Sequence, residues 1–117
     1  MDFKKILSCV VAAMVSLSVY GSEYKFNFVM HSDTNNAFWA AVYKGFMDAC
    51  KQVDADCQML TLTGDGDQQE QLQNLESSIA QGVDGIITTI TNPTIFDKAV
   101  DEALSKGIPV ILSLIHI

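Results

Sequence analysis

The sequence predicts an α/β protein with a doubly wound parallel sheet. Short apolar runs alternate with longer stretches of helical periodicity, and Gly, Asn, Asp and Pro residues fall between them. The resulting order is βαβαβαβ, in which short loops and right-handed crossovers give parallel strands with helices on both faces. In such folds, ligands bind at the carboxyl ends of the strands.

Composition limits both the size and the class of the protein. The chain has 117 residues, 49% of them hydrophobic and 18% charged, which indicates one globular domain at most. The formal net charge is −7 and Arg is absent. Nucleic acids and anionic membrane surfaces require clustered cations, so neither is an expected partner.

Residues 1–21 have the pattern of a secretory signal peptide. Lys4 and Lys5 precede the apolar run Ile6–Val19, and Gly21 supplies a small residue for cleavage. An uncleaved anchor is the less favoured alternative, because a membrane span needs about 20 apolar residues. We therefore expect a periplasmic protein that is cut after Gly21 and has no stable membrane association afterwards.

Export would place the remaining cysteines in an oxidising compartment. Cleavage would leave Cys50, late in the first predicted helix, and Cys57, which opens the next strand. An even pair in an oxidising compartment favours a disulfide, with two separate buried thiols as the alternative. No second pair of Cys or His residues supports a metal site, so none is expected.

The elements follow in order along the chain. The first strand becomes continuously apolar towards its end, as a strand covered on both faces would, and the second alternates like a strand near a sheet edge. The predicted strands are Tyr24–Met30, Cys57–Leu62, Ile86–Ile90 and one that begins at Ile108; the predicted helices cover 37–53, 68–81 and 94–106.

Capping residues place the helix ends. Asn35 or Asn36 can cap the first helix, while Asp67 with Glu70 forms an Asp version of the capping box for the second. Gly82 ends the second helix and Gly107 follows the third, which Pro93 introduces.

The first helix has a predicted apolar stripe. Four residues recur at four-residue spacing and two aromatic residues lie beside them: Phe38, Val42, Phe46 and Cys50, with Trp39 and Tyr43. Gly45 is expected to let this helix approach the sheet closely.

The loop after the first strand is the candidate binding site. Ser32 to Asn36 are small and polar, and Phe38 and Trp39 follow at the helix start. Polar groups beside exposed aromatic rings suit a ligand with hydroxyls on its edges and C–H bonds on its faces, which describes a sugar. Two further loops, 63–67 and 91–94, are expected at the same edge.

Four runs of sequence resemble the first lobe of a type I periplasmic binding protein of the ribose/galactose-binding family. They are Asn36-Ala-Phe-Trp39, Asp67-Gln-Gln-Glu-Gln71, Ile79-Ala-Gln-Gly-Val-Asp-Gly-Ile-Ile87 and Gly107-Ile-Pro-Val-Ile111. The resemblance spans Tyr24 to Ile111 and places a partial N-terminal lobe at residues 22–111. Ala37 stands where the family has Pro.

The resemblance implies a function and a set of contacts. The family binds a small carbohydrate between two lobes and delivers it to the permease of an ABC importer, usually as a monomer, without a cofactor and without catalysis. Asn36 would then hydrogen-bond sugar hydroxyls and Phe38 or Trp39 would stack on the ring, while Ser32 and Asp33 add polar contacts. The alternatives are a helix cap for Asn36 and helix core for the two aromatic residues.

Separate predictions concern His31 and the last six residues of the chain. His31 is unusual at the end of the first strand, and a satisfied core imidazole is favoured over a pocket donor. Residues 112–117, Leu-Ser-Leu-Ile-His-Ile, match the translation of a common transposase adapter, CTGTCTCTTATACACATC. We expect them to come from sequencing and not from the gene; a genomic reading frame that stops at Ile117 would contradict this.

Three other function classes compete with sugar transport. An enzyme on the same fold is disfavoured, because no Gly-rich phosphate loop follows the first strand and no Ser elbow is present. A sugar-sensing repressor conflicts with the signal peptide and the acidity. A periplasmic sensor domain stays open. Asp65 and Asp67 do not continue into a calcium loop.

Overall fold

A computed structural model of the protein describes residues 21–113. The element order is βαβαβαβ, as predicted: β1 Lys25–Val29, α1 Ala37–Gln52, β2 Asp56–Leu60, α2 Gln68–Ala80, β3 Gly85–Thr89, α3 Pro93–Ser105 and β4 Val110–Ser113. The predicted signal peptide lies outside these residues except for Gly21, as does the chain after Ser113.

All four strands of this range form one parallel sheet in the order β2-β1-β3-β4. The last residue of β1, Val29, pairs with Leu60 of β2 and with Thr88 of β3. The carboxyl ends of the three strands therefore meet at one edge, which we call the carboxyl edge. The alternating strand β2 lies at a side of the sheet, as its pattern predicts.

Side chains at the helix starts explain where the helices begin. Asn36 Oδ1 accepts from Phe38 N at 2.9 Å, and Asp67 Oδ1 accepts from the backbone N–H groups of Gln69 and Glu70, both at 3.0 Å. Asn92 caps α3 by accepting from Thr94 N at 3.1 Å. Each cap satisfies an amide that has no partner within its helix.

The second half of the predicted capping box is wrong. Glu70 does not reach back to the backbone of Asp67, whose N–H is bonded to Gly64 O at 3.3 Å. Both carboxylate oxygens of Glu70 instead accept from Thr63 N, at 3.1 and 3.0 Å, and one accepts from Thr63 Oγ1 at 3.0 Å. Glu70 therefore holds the loop between β2 and α2.

Helices α2 and α3 cover one face of the sheet and form the larger core. Leu75, Phe96 and Ala103 are completely buried there against Val29 and Ile86. Full burial of one such large side chain contributes roughly 1.5–3 kcal/mol. Gly82, with φ +67°, ends the turn after α2 in a conformation that favours glycine.

Helix α1 covers the other face with a smaller core of Phe28, Met30 and Trp39. Its close approach to the sheet does not depend on Gly45, because a Cβ added there would meet nothing within 4 Å. The close approach in this fold is at Gly85 instead, where an added Cβ would lie 3.0 Å from the Phe26 ring.

The face beside α1 is only partly covered. A cavity of about 340 Å³ opens between α1 and the beginnings of β3 and β4, and its walls include Phe26, Phe46, Ile87 and Ile111. Ile111 and Leu112 are exposed on β4. No helix within residues 21–113 is long and apolar enough to cross a membrane.

The structure joins Cys50, at the end of α1, to Cys57, at the start of β2. Their Cα atoms are 6.2 Å apart, within the usual range for a disulfide. The backbone N–H of Ala55 also bonds to Cys50 O at 2.9 Å, so the connection between the two elements is tight.

Candidate functional site

Backbone hydrogen bonds draw two of the predicted loops together at the carboxyl edge. Leu62 N donates to Ser32 O at 3.2 Å, and Gly66 N donates to His31 O at 3.3 Å. The loop after β1 is thus tied at His31 and Ser32 to the loop after β2. At the carboxyl edge, the side chains of both loops therefore project from backbone that hydrogen bonds hold together.

Asp33 organises the first loop. Its carboxylate accepts from Asn35 twice, from the backbone N at 3.0 Å and from Nδ2 at 2.7 Å. Asp33 is half-buried, while Asn35 is exposed. The carboxylate therefore keeps accepting capacity at the surface, since two oxygens offer about four lone-pair sites.

Asn36 has the capping role that was its alternative interpretation. Its Oδ1 is used by Phe38 N, but within residues 21–113 nothing accepts from its Nδ2. The side chain is exposed. Because the cap fixes the amide plane, Asn36 presents two N–H donors in a set orientation, so capping and ligand binding are compatible.

The two aromatic residues at the start of α1 differ in exposure. Phe38 is 55% exposed, whereas Trp39 is 7% exposed and packs on Phe28 and Met30. Their rings meet edge to face, with centroids 4.9 Å apart. The expectation of an exposed indole is therefore wrong: the helix phase turns Trp39 into the core, and Phe38 is the ring that a ligand can reach.

The predicted core stripe changes only at its first residue, for the same reason. It starts at Trp39 and continues through Val42, Phe46 and Cys50, while Phe38 leaves it and Tyr43 is 43% exposed. Ser32 is also buried, which leaves it little surface for a ligand.

A buried polar network under the edge was missed by sequence analysis. Gln71 is fully buried, and its Nε2 donates to Thr89 O at 2.5 Å and to Thr89 Oγ1 at 3.3 Å. Thr89 Oγ1 lies 2.8 Å from His31 Nδ1. The sequence contains one indication that Gln71 is buried: it lies four residues before Leu75, on the buried stripe of α2.

The third loop joins this edge through side chains. Gln68 Nε2 donates to Thr91 Oγ1 at 3.3 Å, linking the start of α2 to the chain after β3. Among the residues that the structure describes, no group of three His, Cys, Asp or Glu side chains could hold a metal ion.

The cavity beside α1 is a different feature from this edge. Its walls contain Gly85 and Pro109, which lie at the beginnings of β3 and β4, and its lining is apolar. A carbohydrate buried there would lose hydrogen bonds to water without replacing them. The carboxyl edge combines polar groups with an exposed ring and is the candidate site.

Comparison with known proteins identifies the family. Residues 26–113 match the model of the periplasmic binding protein domain. The xylose/arabinose-binding protein XylF of Sulfolobus acidocaldarius is 36% identical over 87 residues, which are 74% of this chain and 21% of that protein.

Solved structures agree with this match. A periplasmic sugar-binding protein of an ABC sugar transporter from Legionella pneumophila superposes with a TM-score of 0.73 at 31% identity, over 76% of this chain and 32% of the other. XylFII, solved in a complex with LytSN, gives 0.70 at 26% identity over 76% and 32%. The chain spans about a fifth to a third of the length of these relatives. It belongs to the periplasmic binding protein family.

Proposed function

We propose that this protein is a periplasmic solute-binding component of an ABC importer, which binds a small carbohydrate and delivers it to the permease. The observation that carries the proposal is the half-exposed Phe38 ring beside the polar groups of Asp33 and Asn36 at the carboxyl edge. The relative from Sulfolobus acidocaldarius is named as a xylose/arabinose-binding protein and the one from Legionella pneumophila as a periplasmic sugar-binding protein.

The chemistry of the edge fits both parts of a sugar. The C–H face of a pyranose or furanose gains dispersion and loses unfavourable water contact against an aromatic ring. Hydroxyl groups need fixed partners, because an unpaired hydroxyl in a closed site costs about 1–3 kcal/mol. Asn36 offers donors and Asp33 offers acceptors, so one hydroxyl that both donates and accepts can use both residues.

The family closes two lobes over its ligand, and this chain would provide one wall of such a site. Phe38, Asp33 and Asn36 lie on one edge, which leaves the opposite side of a bound sugar for another surface. The choice among sugars then depends on contacts beyond the three proposed here.

A sensor role is the second candidate. XylFII, at 26% identity, was solved in a complex with a second protein, LytSN. In that case the sugar site would be the same, but the loaded protein would engage a receptor and not a permease. Cross-linking of the sugar-loaded protein in its native envelope would recover a permease under the first proposal and a receptor under the second.

Calorimetric titration of the protein encoded by the native locus with D-xylose, L-arabinose, hexoses and polyols tests the binding step. The expected result is saturable binding of one sugar class. Trp39 supplies a second readout, because its ring contacts the edge of Phe38, so a ligand on Phe38 should change its fluorescence. A folded protein that binds no member of the panel would contradict the proposal.

A further inference from the structure

Three side chains form a hydrogen-bonded chain that runs from the core to the carboxyl edge. Gln71 is fully buried, Thr89 is fully buried at the end of β3, and His31 is half-buried two residues after the end of β1. The links are Gln71 Nε2 to Thr89 Oγ1 at 3.3 Å and Thr89 Oγ1 to His31 Nδ1 at 2.8 Å.

The amide of Gln71 can take only one orientation. Its Nε2 lies 2.5 Å from the carbonyl oxygen of Thr89, and carbonyl oxygens only accept hydrogen bonds. A flipped amide would set Oε1 against that oxygen. Oε1 is left buried without a partner among the described residues, which shows that the Nε2 contacts decide the orientation.

This orientation determines where the proton of the Thr89 hydroxyl goes. Thr89 Oγ1 accepts from Gln71 Nε2, and a hydroxyl has one proton to donate. Among the described residues His31 Nδ1 is the other side-chain atom bonded to Thr89 Oγ1, so the buried hydroxyl proton has a partner when it is donated to Nδ1. A neutral imidazole that accepts at Nδ1 carries its proton on Nε2.

The geometry points to His31 as a further ligand-binding residue, whose Nε2–H donates to a hydroxyl oxygen of the bound carbohydrate. Thr89 and Gln71 are positioning residues that hold this tautomer. The inference rests on the proposed carbohydrate function. The ring is also fixed by Trp39, which it meets edge to face with centroids 5.2 Å apart, so its orientation is set before a ligand arrives.

The tautomer can be measured without any ligand. Long-range ¹H–¹⁵N NMR of the imidazole should show a protonated Nε2 and an unprotonated Nδ1 at neutral pH; the signals of His31 are identified by their absence from a His31→Gln variant. An unprotonated Nε2 would overturn the inference, whether or not the protein binds a sugar.

Two variants of His31 distinguish the roles of its two ring nitrogens. His31→Gln can place an amide N–H near the position of Nε2, whereas His31→Asn reaches only the position of Nδ1. Calorimetry with D-xylose and L-arabinose should show similar affinity for the wild type and His31→Gln, and a loss of about tenfold for His31→Asn. Equal affinity of the wild type and His31→Asn would overturn the donor role and leave the proposed function intact.

A matched pair of variants tests the positioning role of Thr89. Thr89→Ser keeps the hydroxyl and should keep wild-type affinity, while Thr89→Val removes it and should lose several-fold. Circular dichroism establishes that both variants are folded. Equal affinity of Thr89→Val and Thr89→Ser would overturn the positioning role. If the wild type binds no sugar, the proposed function fails and the donor role fails with it.

Discussion

Replacement of Phe38 by Ala should weaken carbohydrate binding while leaving the fold intact. Phe38 is 55% exposed, and only its backbone N–H takes part in the cap with Asn36. Ala keeps that N–H and has the highest helix propensity. The free energy of unfolding should therefore change by less than about 1 kcal/mol, as for most surface substitutions.

The size of the binding loss follows from the exposed area. An aromatic side chain of about 200 Å² that is 55% exposed leaves roughly 110 Å² in water. A sugar that covers one ring face removes about half of this area, worth about 1.4 kcal/mol at 25 cal/mol per Å². Coverage of the whole exposed area doubles the value. The dissociation constant should rise between about tenfold and about a hundredfold.

Tyr43→Ala is the matched control for this measurement. Tyr43 is an aromatic residue on α1 with a similar exposure of 43%, but it lies five residues further along the helix, about 7.5 Å from Phe38 along the axis. Calorimetry on both variants and the wild type gives the comparison. If Phe38→Ala binds the sugar within about twofold of Tyr43→Ala, a threshold well below the tenfold loss expected here, the ring does not contact the ligand.

Three further predictions concern stability and are measured by urea unfolding. Trp39→Ala should lower the free energy of unfolding by about 3–5 kcal/mol, because it empties a core position that Phe28 and Met30 line. A decrease below about 1 kcal/mol would place the indole outside the core. Asp67→Ala should lower the free energy of unfolding by about 1 kcal/mol, because it removes the cap of α2. The control is Asp65→Ala, at an exposed position in the same loop, which should leave the free energy of unfolding almost unchanged. Equal decreases for the two variants would contradict the capping role of Asp67. Reduction should lower stability by roughly 2.5 kcal/mol if Cys50 and Cys57 are bridged around their short loop, and should have no effect on the Cys50→Ala/Cys57→Ala variant.

The fold could be predicted because its signals are local. Apolar runs bounded by turn residues specify the strands, and Asn36, Asp67 and Asn92 determine where the helices begin. Once the order βαβαβαβ is known, short connections and the handedness of crossovers leave few arrangements for a parallel sheet. The carboxyl edge, and hence the position of the candidate site, follows from this order.

The roles of single residues at the site could not be predicted so well, because they depend on contacts between distant parts of the chain. Glu70 was expected to cap its own helix, but its carboxylate bonds to Thr63 in the neighbouring loop. Gln71 looks like a surface residue of a polar helix start, and its burial depends on Thr89, 18 residues away. Sequence periodicity records where a side chain points, but it does not record what it meets there.

The different environments of Phe38 and Trp39 arise from the helix geometry and from the cap. Neighbouring residues on a helix point about 100° apart, so only one of two adjacent large rings can face the sheet. Asn36 determines which one, because its Oδ1 accepts from Phe38 N and so fixes where the first turn begins. Trp39 then faces Phe28 and Met30, and Phe38 stands at the carboxyl edge with its ring against the indole. A helix turned by one residue so that Phe38 took the place of Trp39 would bury the phenyl ring and move the indole away from the core. In the proposed site, the cap at Asn36 would contribute to recognition as well as to helix stability, so one Asn would serve as helix cap and as ligand-binding residue.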